Sequence, residues 1–259
     1  MTLTAPPASG RIPPHPILDG HYADDALRPR YVRNLFDEAA SEYDGTAALL
    51  AFGSGPWYRQ HTLRLAGLRP GMAVLDVAAG TGQVTRAAAR IVGEAGMVYA
   101  VEPSAGMLRE ARRVLPPRVM LVQGEAEALP LPNGTVDFVS MGYAVRHVSD
   151  LIAAFSEYRR VLRSGGTVVI MEIGPARGRV TRAALGFWIS RAVPAMHAMF
   201  GRGKGRYRWA VALMGYYRDT LDTCVAPPVI ENALRRAGFA DVRCNVSLNL
   251  FREYTGRAP

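Results

Sequence analysis

Short apolar runs alternate with amphipathic stretches through the middle of the chain. Val74-Leu75-Asp76-Val77 breaks into the turn Gly80-Thr81-Gly82, and Met97-Val98-Tyr99-Ala100-Val101 ends in Glu102, twenty residues past Gly82. Val119-Met120-Leu121-Val122, a run opening at Asp137-Phe138-Val139-Ser140, and Thr167-Val168-Val169-Ile170-Met171-Glu172 continue the series. Strands that alternate with helical segments from Met72 to Glu172 predict a parallel sheet with covering helices. Helical spacing also starts near Arg30 and again from Trp57 to Ala66, where Leu63 and Ala66 share a face and Gly67 is the stop. Downstream, about 180 to 224 reads as long helices rich in Arg, Trp, Tyr and Met. A helix over 228–237 and strands near 241–247 and 249–255 close the chain, the last strand expected antiparallel.

Composition is that of one globular unit. Of 259 residues 49% are hydrophobic, yet no run approaches the roughly 20 apolar residues that cross a bilayer. Residues 1–30, rich in proline and without a period, read as a mobile extension able to order over the site, and 31–259 as one domain. The amino terminus lacks a basic-then-apolar signal pattern, so the expected location is cytoplasmic. Cys224 and Cys244 lack metal-ligand spacing, and the five histidines are scattered, so no metal is expected. Lys plus Arg total 31 against 22 acids, a net charge of +9 that would suit an anionic substrate or a membrane surface. The basic residues interleave with apolar stripes and form no recognised RNA-binding module, which argues against a nucleic-acid partner.

The glycine turn carries the chemistry. Gly80 and Gly82 let the backbone turn sharply and approach a ligand, and Glu102 at the next strand end is placed to accept hydrogen bonds from a ribose diol. A dinucleotide fingerprint needs a third glycine, but Thr85 stands there. Asp76, just before the loop, suits a cationic ligand because a carboxylate favours a nearby sulfonium or ammonium. Leu75-Asp76-Val77-Ala78-Ala79-Gly80-Thr81-Gly82 resembles motif I of class I S-adenosylmethionine methyltransferases.

Further segments narrow the resemblance. Leu35-Phe36-Asp37-Glu38-Ala39-Ala40-Ser41-Glu42-Tyr43-Asp44 with Ala51-Phe52-Gly53, then Tyr143-Ala144-Val145-Arg146-His147-Val148, then Arg160-Val161-Leu162-Arg163-Ser164-Gly165-Gly166 resemble the ubiquinone/menaquinone C-methyltransferase family, the UbiE/COQ5 type. The likeness covers about residues 31 to 178 and returns weakly from Arg235. It implies an α/β, Rossmann-like, seven-stranded and mostly parallel sheet with helices on both faces. N-terminal helices and a helical insertion after the fifth strand, on the acceptor side at about 180–224, would complete it.

The resemblance also implies S-adenosylmethionine as cofactor, held by Asp76, Ala78, Gly80, Thr81, Gly82, Glu102, Pro103, Met107, Glu125 and Ala126. In that family the acceptor is a hydroquinone ring carbon on a prenylated ring, and a base that deprotonates the phenol helps. His147 and Tyr143 are candidates for that base, with Arg146 stabilising the phenolate; a merely local hydrogen-bonding role for His147 stays open. A second reading is C-methylation of a prenyl diphosphate. There a cluster with Arg182, Arg206 and Arg208 would grip the diphosphate beside Trp188, Tyr207 and Trp209, and Glu172 would quench a carbocation. A cofactor-binding module that serves only as a partner is a third reading, opposed by intact Asp76, Gly80, Gly82 and Glu102.

Overall fold

The computed structural model describes residues 10–50, 54–174, 178–200, 206–247 and 250–259. The apolar runs form β1 (Ala73–Val77), β2 (Met97–Glu102), β3 (Met120–Gln123), β4 (Val136–Gly142) and β5 (Leu162–Ile173), and a terminal hairpin supplies β6 (Ala240–Ser247) and β7 (Phe251–Arg257). Together they make one seven-stranded sheet in the order β3-β2-β1-β4-β5-β7-β6. β1 to β5 pair in parallel, while β7 runs antiparallel to both β5 and β6, as the sequence predicts. Strand order reverses between β1 and β4, and ligands of open α/β sheets bind outside the carboxyl ends of the strands at such a point.

All five residues of β1 are buried because helices cover both faces of the sheet. Val74, with Phe138, Val169 and Met171, packs against α2 (Gly55–Leu65), α3 (Gln83–Val92) and α4 (Ala105–Val114). Leu75 and Val77, one step along the pleat, point to the other face with Val139, Met141 and Ile170, and meet α5 (Leu151–Val161) and α9 (Pro227–Arg236). A third cluster caps the carboxyl ends of the strands. It joins α1 (Arg28–Leu50) to the helices inserted after β5: α6 (Arg179–Phe187), a π-helical turn at Trp188–Ala192, α7 (Val193–Phe200) and α8 (Arg206–Thr223). None of the described helices is long and apolar enough to cross a membrane.

Over residues 10–24 the N-terminal extension packs against the rest of the fold. Ile12 is buried in the sheet core, its carbonyl accepts the Leu151 N–H at 2.9 Å, and the Pro14 carbonyl accepts the Val225 N–H at 2.8 Å. His15 offers its carbonyl to the wholly buried Arg28 at 3.1 Å. This segment is ordered by main-chain bonds to distant elements, which leave no periodicity in its own sequence.

Candidate active site

The loop after β1 contains three left-handed residues, Ala78 (φ 52°), Gly80 (φ 57°) and Gly82 (φ 84°). The turn brings the Gly80 N–H to Glu102, donating to Oε2 at 2.8 Å, while the Ser104 N–H donates to Oε1 at 2.9 Å. One carboxylate thus ties the β1 loop to the β2 loop. Burial pushes the Glu102 carboxyl up to about 7, against the opposing pull of those two N–H donors.

Asp76 sits differently from the expectation. It is 1% exposed, and Thr85 Oγ1 and Ser140 Oγ donate to it at 2.6 and 2.8 Å. Both carboxylate oxygens therefore face the protein interior, tying β1 to α3 and β4, and Asp76 does not line the cleft. Burial pushes its carboxyl up to about 6.

Helix α1 lies over both loops, and two of its acids reach down to them. Asp37 accepts from Ser104 Oγ at 2.6 Å and from the Gly106 N–H at 2.7 Å, and a Cβ on Gly106 would stand 2.9 Å from the Asp37 carbonyl oxygen. Asp44 accepts from Thr81 Oγ1 and, at 2.6 Å, from Gln83 Nε2. The two acids are seven positions apart, two helical turns, and so share a face. That spacing is legible in the sequence, inside the stretch Leu35 to Asp44.

Between α1 and the strand ends lies a cleft open to solvent, enclosing about 480 Å³ in all. Of the expected cofactor residues, Ala78, Gly80, Glu102, Pro103 and Met107 line it, joined by Val32, Arg33, Phe36, Tyr43, Ser104 and Gly142. Thr81 and Gly82 shape the loop without lining the cleft. Glu125 pairs with Arg33, and Ala126 is buried in the sheet core, so neither lines it either.

A second, mostly apolar cavity of about 730 Å³ opens on the far side of Tyr43 and Tyr143, lined also by Arg59, Leu185, Ile189, Tyr217 and Phe251. Tyr43 and Tyr143 border both spaces, and a small void lined by Phe36, Tyr43, Tyr143, His147 and Tyr217 sits at the junction. A larger open groove of about 1030 Å³ between α2 and the β6–β7 edge shares no residue with the cleft and lies apart from the loops.

The expected catalytic residues separate into two pairs. Tyr143 and His147 stand at the junction, whereas Arg146 and Glu172 are buried behind it, 0% and 2% exposed, as an ion pair with Nε and Oε1 3.2 Å apart. Glu172 lines neither cavity, which corrects the expectation that it quenches a cation there. Burial drives the Tyr143 phenol up, so this residue stays protonated and is a donor, not a base. Burial and the Arg146 charge hold the His147 imidazole well below its usual range, leaving it neutral, with Nδ1 3.3 Å from the Tyr216 hydroxyl.

Of the arginine and aromatic residues expected to meet an acceptor, Arg182 is exposed on α6, and Trp188 packs in the third cluster without lining the cavity. The side chains of Arg206, Tyr207, Arg208 and Trp209 lie outside the described residues.

The profile of the ubiE/COQ5 methyltransferase family matches residues 24–247. The ubiquinone/menaquinone biosynthesis C-methyltransferase UbiE of Hahella chejuensis is 32% identical over 194 residues, covering 73% of this chain and 78% of that one. Among solved structures, a SAM-dependent methyltransferase from Aquifex aeolicus superposes with a TM-score of 0.57 at 20% identity, over 78% of this chain and 89% of that one. Haemonchus contortus phosphoethanolamine N-methyltransferase 2, solved with S-adenosyl-L-methionine, superposes with a TM-score of 0.55 at 18% identity, over 78% and 52%. At those identities the two structures speak to the fold.

Proposed function

The chain belongs to the ubiE/COQ5 methyltransferase family and is an S-adenosylmethionine-dependent methyltransferase; from that premise we propose that it methylates a ring carbon of a prenylated quinol. The observation that carries this reading is the pair of spaces meeting at Tyr43 and Tyr143: a polar-ended cleft and a cavity walled by Leu185, Ile189, Tyr217 and Phe251. The Hahella relative is named for ubiquinone and menaquinone biosynthesis, which supports the acceptor class.

The residues of the cleft fit the cofactor. Glu102 would accept from the ribose hydroxyls, the backbone around Ala78 and Gly80 would hold the amino-acid portion, and Met107 and Pro103 would meet the adenine. Bound there, S-adenosylmethionine supplies an electrophilic methyl group. The protein's task is then alignment and exclusion of water. Tyr143 donates, and the neutral His147 offers a donor or an acceptor nitrogen according to its tautomer, so the two can orient a phenolic hydroxyl at the junction. The prenyl diphosphate reading finds no support among the described residues, since Arg182 is exposed and Glu172 is held by Arg146.

The test is methylation with label from methyl-labelled S-adenosylmethionine, against demethylated quinols and prenyl diphosphates, read by product mass. Label on a quinol ring carbon is the expected result; label on a prenyl diphosphate alone would refute it.

Glu102 makes cofactor affinity pH-dependent. A diol donates to the ionised carboxylate, and with the carboxyl at about 7 the ionised share grows roughly tenfold between pH 6 and pH 8. Calorimetric affinity for S-adenosylhomocysteine is therefore expected to rise about tenfold over that interval. The stability of the empty protein responds in the opposite sense. Its Glu102 carboxyl lies above the unfolded value of 4.5, so the folded state holds more protons between about 4.5 and 7, and this group's contribution falls as pH rises through that window. A flat affinity profile would remove Glu102 from the ribose contact.

A further inference from the structure

We propose that Arg59 is an acceptor-binding residue that holds one phenol of the substrate as its phenolate against the wall of the apolar cavity. The proposal rests on the quinol reading above. Four arginines are buried among the described residues: Arg28, Arg59, Arg146 and Arg252. Arg252, on β7, does not line the cavity, and two of the others are neutralised within the protein. Arg28 is 2.8 Å from Asp25 and donates to the carbonyls of His15 and Val148, and Arg146 pairs with Glu172. Arg59 is the third. It projects from α2, is 8% exposed, and lines the same cavity as Tyr43, Tyr143, Tyr217 and Ile189.

Among the described residues no carboxylate lies within ion-pair distance of Arg59, and its Nε is buried without a hydrogen-bond partner. Its one close electronic partner is the ring of Tyr143, whose centre is 5.3 Å from the guanidinium carbon. A ring face offsets only part of the cost of taking a guanidinium out of water. A cation buried at the wall of this cavity, with no acid paired to it among the described residues, is therefore a site for an anion from outside them.

The size and charge of that anion follow from the surroundings. Among the described residues Arg59 is the one cation on the cavity wall, so it suits a single negative oxygen and not a diphosphate. The other groups facing it are Tyr43 from α1, Tyr58 from its own helix, Tyr143 after β4 and Tyr217 from α8, all phenols that burial keeps protonated. On β7, Glu253 is engaged by the Tyr58 hydroxyl. Asp76 feels the Arg59 charge only from within the sheet. Behind Arg59, Arg86 and Arg90 of α3 share a small crevice with it and add to the positive potential. Each ionised cation here favours the anionic form of a bound phenol. In that ionisation the acceptor's O–H bond breaks, its proton passes to water, and the electron pair stays on oxygen, where it enriches the neighbouring ring carbons. Arg59 thus raises carbon nucleophilicity without acting as a base.

The probe is 4-nitrophenol, whose absorbance reports its ionisation, titrated with pH on the S-adenosylhomocysteine-loaded protein. On the wild type its midpoint is expected at least one pH unit below that in buffer. Arg59→Lys should keep part of the shift and Arg59→Met should lose it, with calorimetric affinity for S-adenosylhomocysteine unchanged in all three. A wild-type midpoint equal to that in buffer, or a shift retained in Arg59→Met, would overturn the proposal. So would Arg59-dependent binding of inorganic pyrophosphate tighter than that of the nitrophenol, which would make the site one for a diphosphate. If the shift depends on Arg59 but no quinol is methylated, the anion site stands and the quinol reading falls. If quinols are methylated and no shift is seen, the reading stands and the role of Arg59 falls.

Discussion

Glu172→Leu is expected to lower the free energy of unfolding by about 3–5 kcal/mol, the cost of stranding a buried charge. Arg146 is fully buried, and after the substitution it keeps only neutral partners: Thr220 Oγ1 at 3.0 Å, the Tyr217 carbonyl at 3.3 Å, and the Tyr217 ring 4.4 Å away. The burial that makes the single change severe makes the pair dispensable. Arg146→Leu combined with Glu172→Leu removes both charges together, and the double variant should recover most of the loss. Urea unfolding of the wild type, both single variants and the double variant tests this. It separates a structural pair from a catalytic base, because loss of a base would lower turnover by orders of magnitude at unchanged stability. An unaltered unfolding midpoint in Glu172→Leu with collapsed turnover would return Glu172 to the chemistry.

Gly82→Val is the second large expected effect. Gly82 has φ 84°, a left-handed conformation that β-branched residues scarcely adopt, and its new Cβ would stand 2.7 Å from Leu115 Cδ1 and 2.9 Å from Cγ. Strain and overpacking together are expected to cost about 2–5 kcal/mol. The damage also reaches the cleft. Gly82 stands immediately before α3, and relief of the clash moves the loop that presents the Gly80 N–H to Glu102. Affinity for S-adenosylhomocysteine should fall by a hundredfold or more, about 3 kcal/mol. Calorimetry at a temperature where the variant remains folded checks the expectation, and retained affinity would show that the loop tolerates a side chain there.

The two variants also mark how far the sequence could be read. The strain at Gly82 was foreseeable, because a glycine after an apolar run signals a turn that other residues resist. Pairing of Arg146 with Glu172 was not. A charged residue at a strand end or in a family motif looks catalytic until its partner is known. Asp76 illustrates the same limit: its position before the loop was legible, but not that Thr85 and Ser140 would turn its carboxylate inward. Asp37 and Asp44 were legible in principle, since acids seven apart on a helix share a face, although their targets in the β1 and β2 loops were not.

The succession of elements, the parallel sheet with its one antiparallel strand, the glycine turn and the family are all legible in the chain. These follow from backbone sterics, strand and helix periods and short motifs, all of which act over a few residues. Which charges meet each other and which face a cavity came from the three-dimensional packing: Arg146 against Glu172, Glu102 against the Gly80 N–H, and Arg59 with no acid paired to it among the described residues. The physical reason is range. A side chain's partner is chosen by burial and by atoms tens of residues away, and no local period in the chain records them.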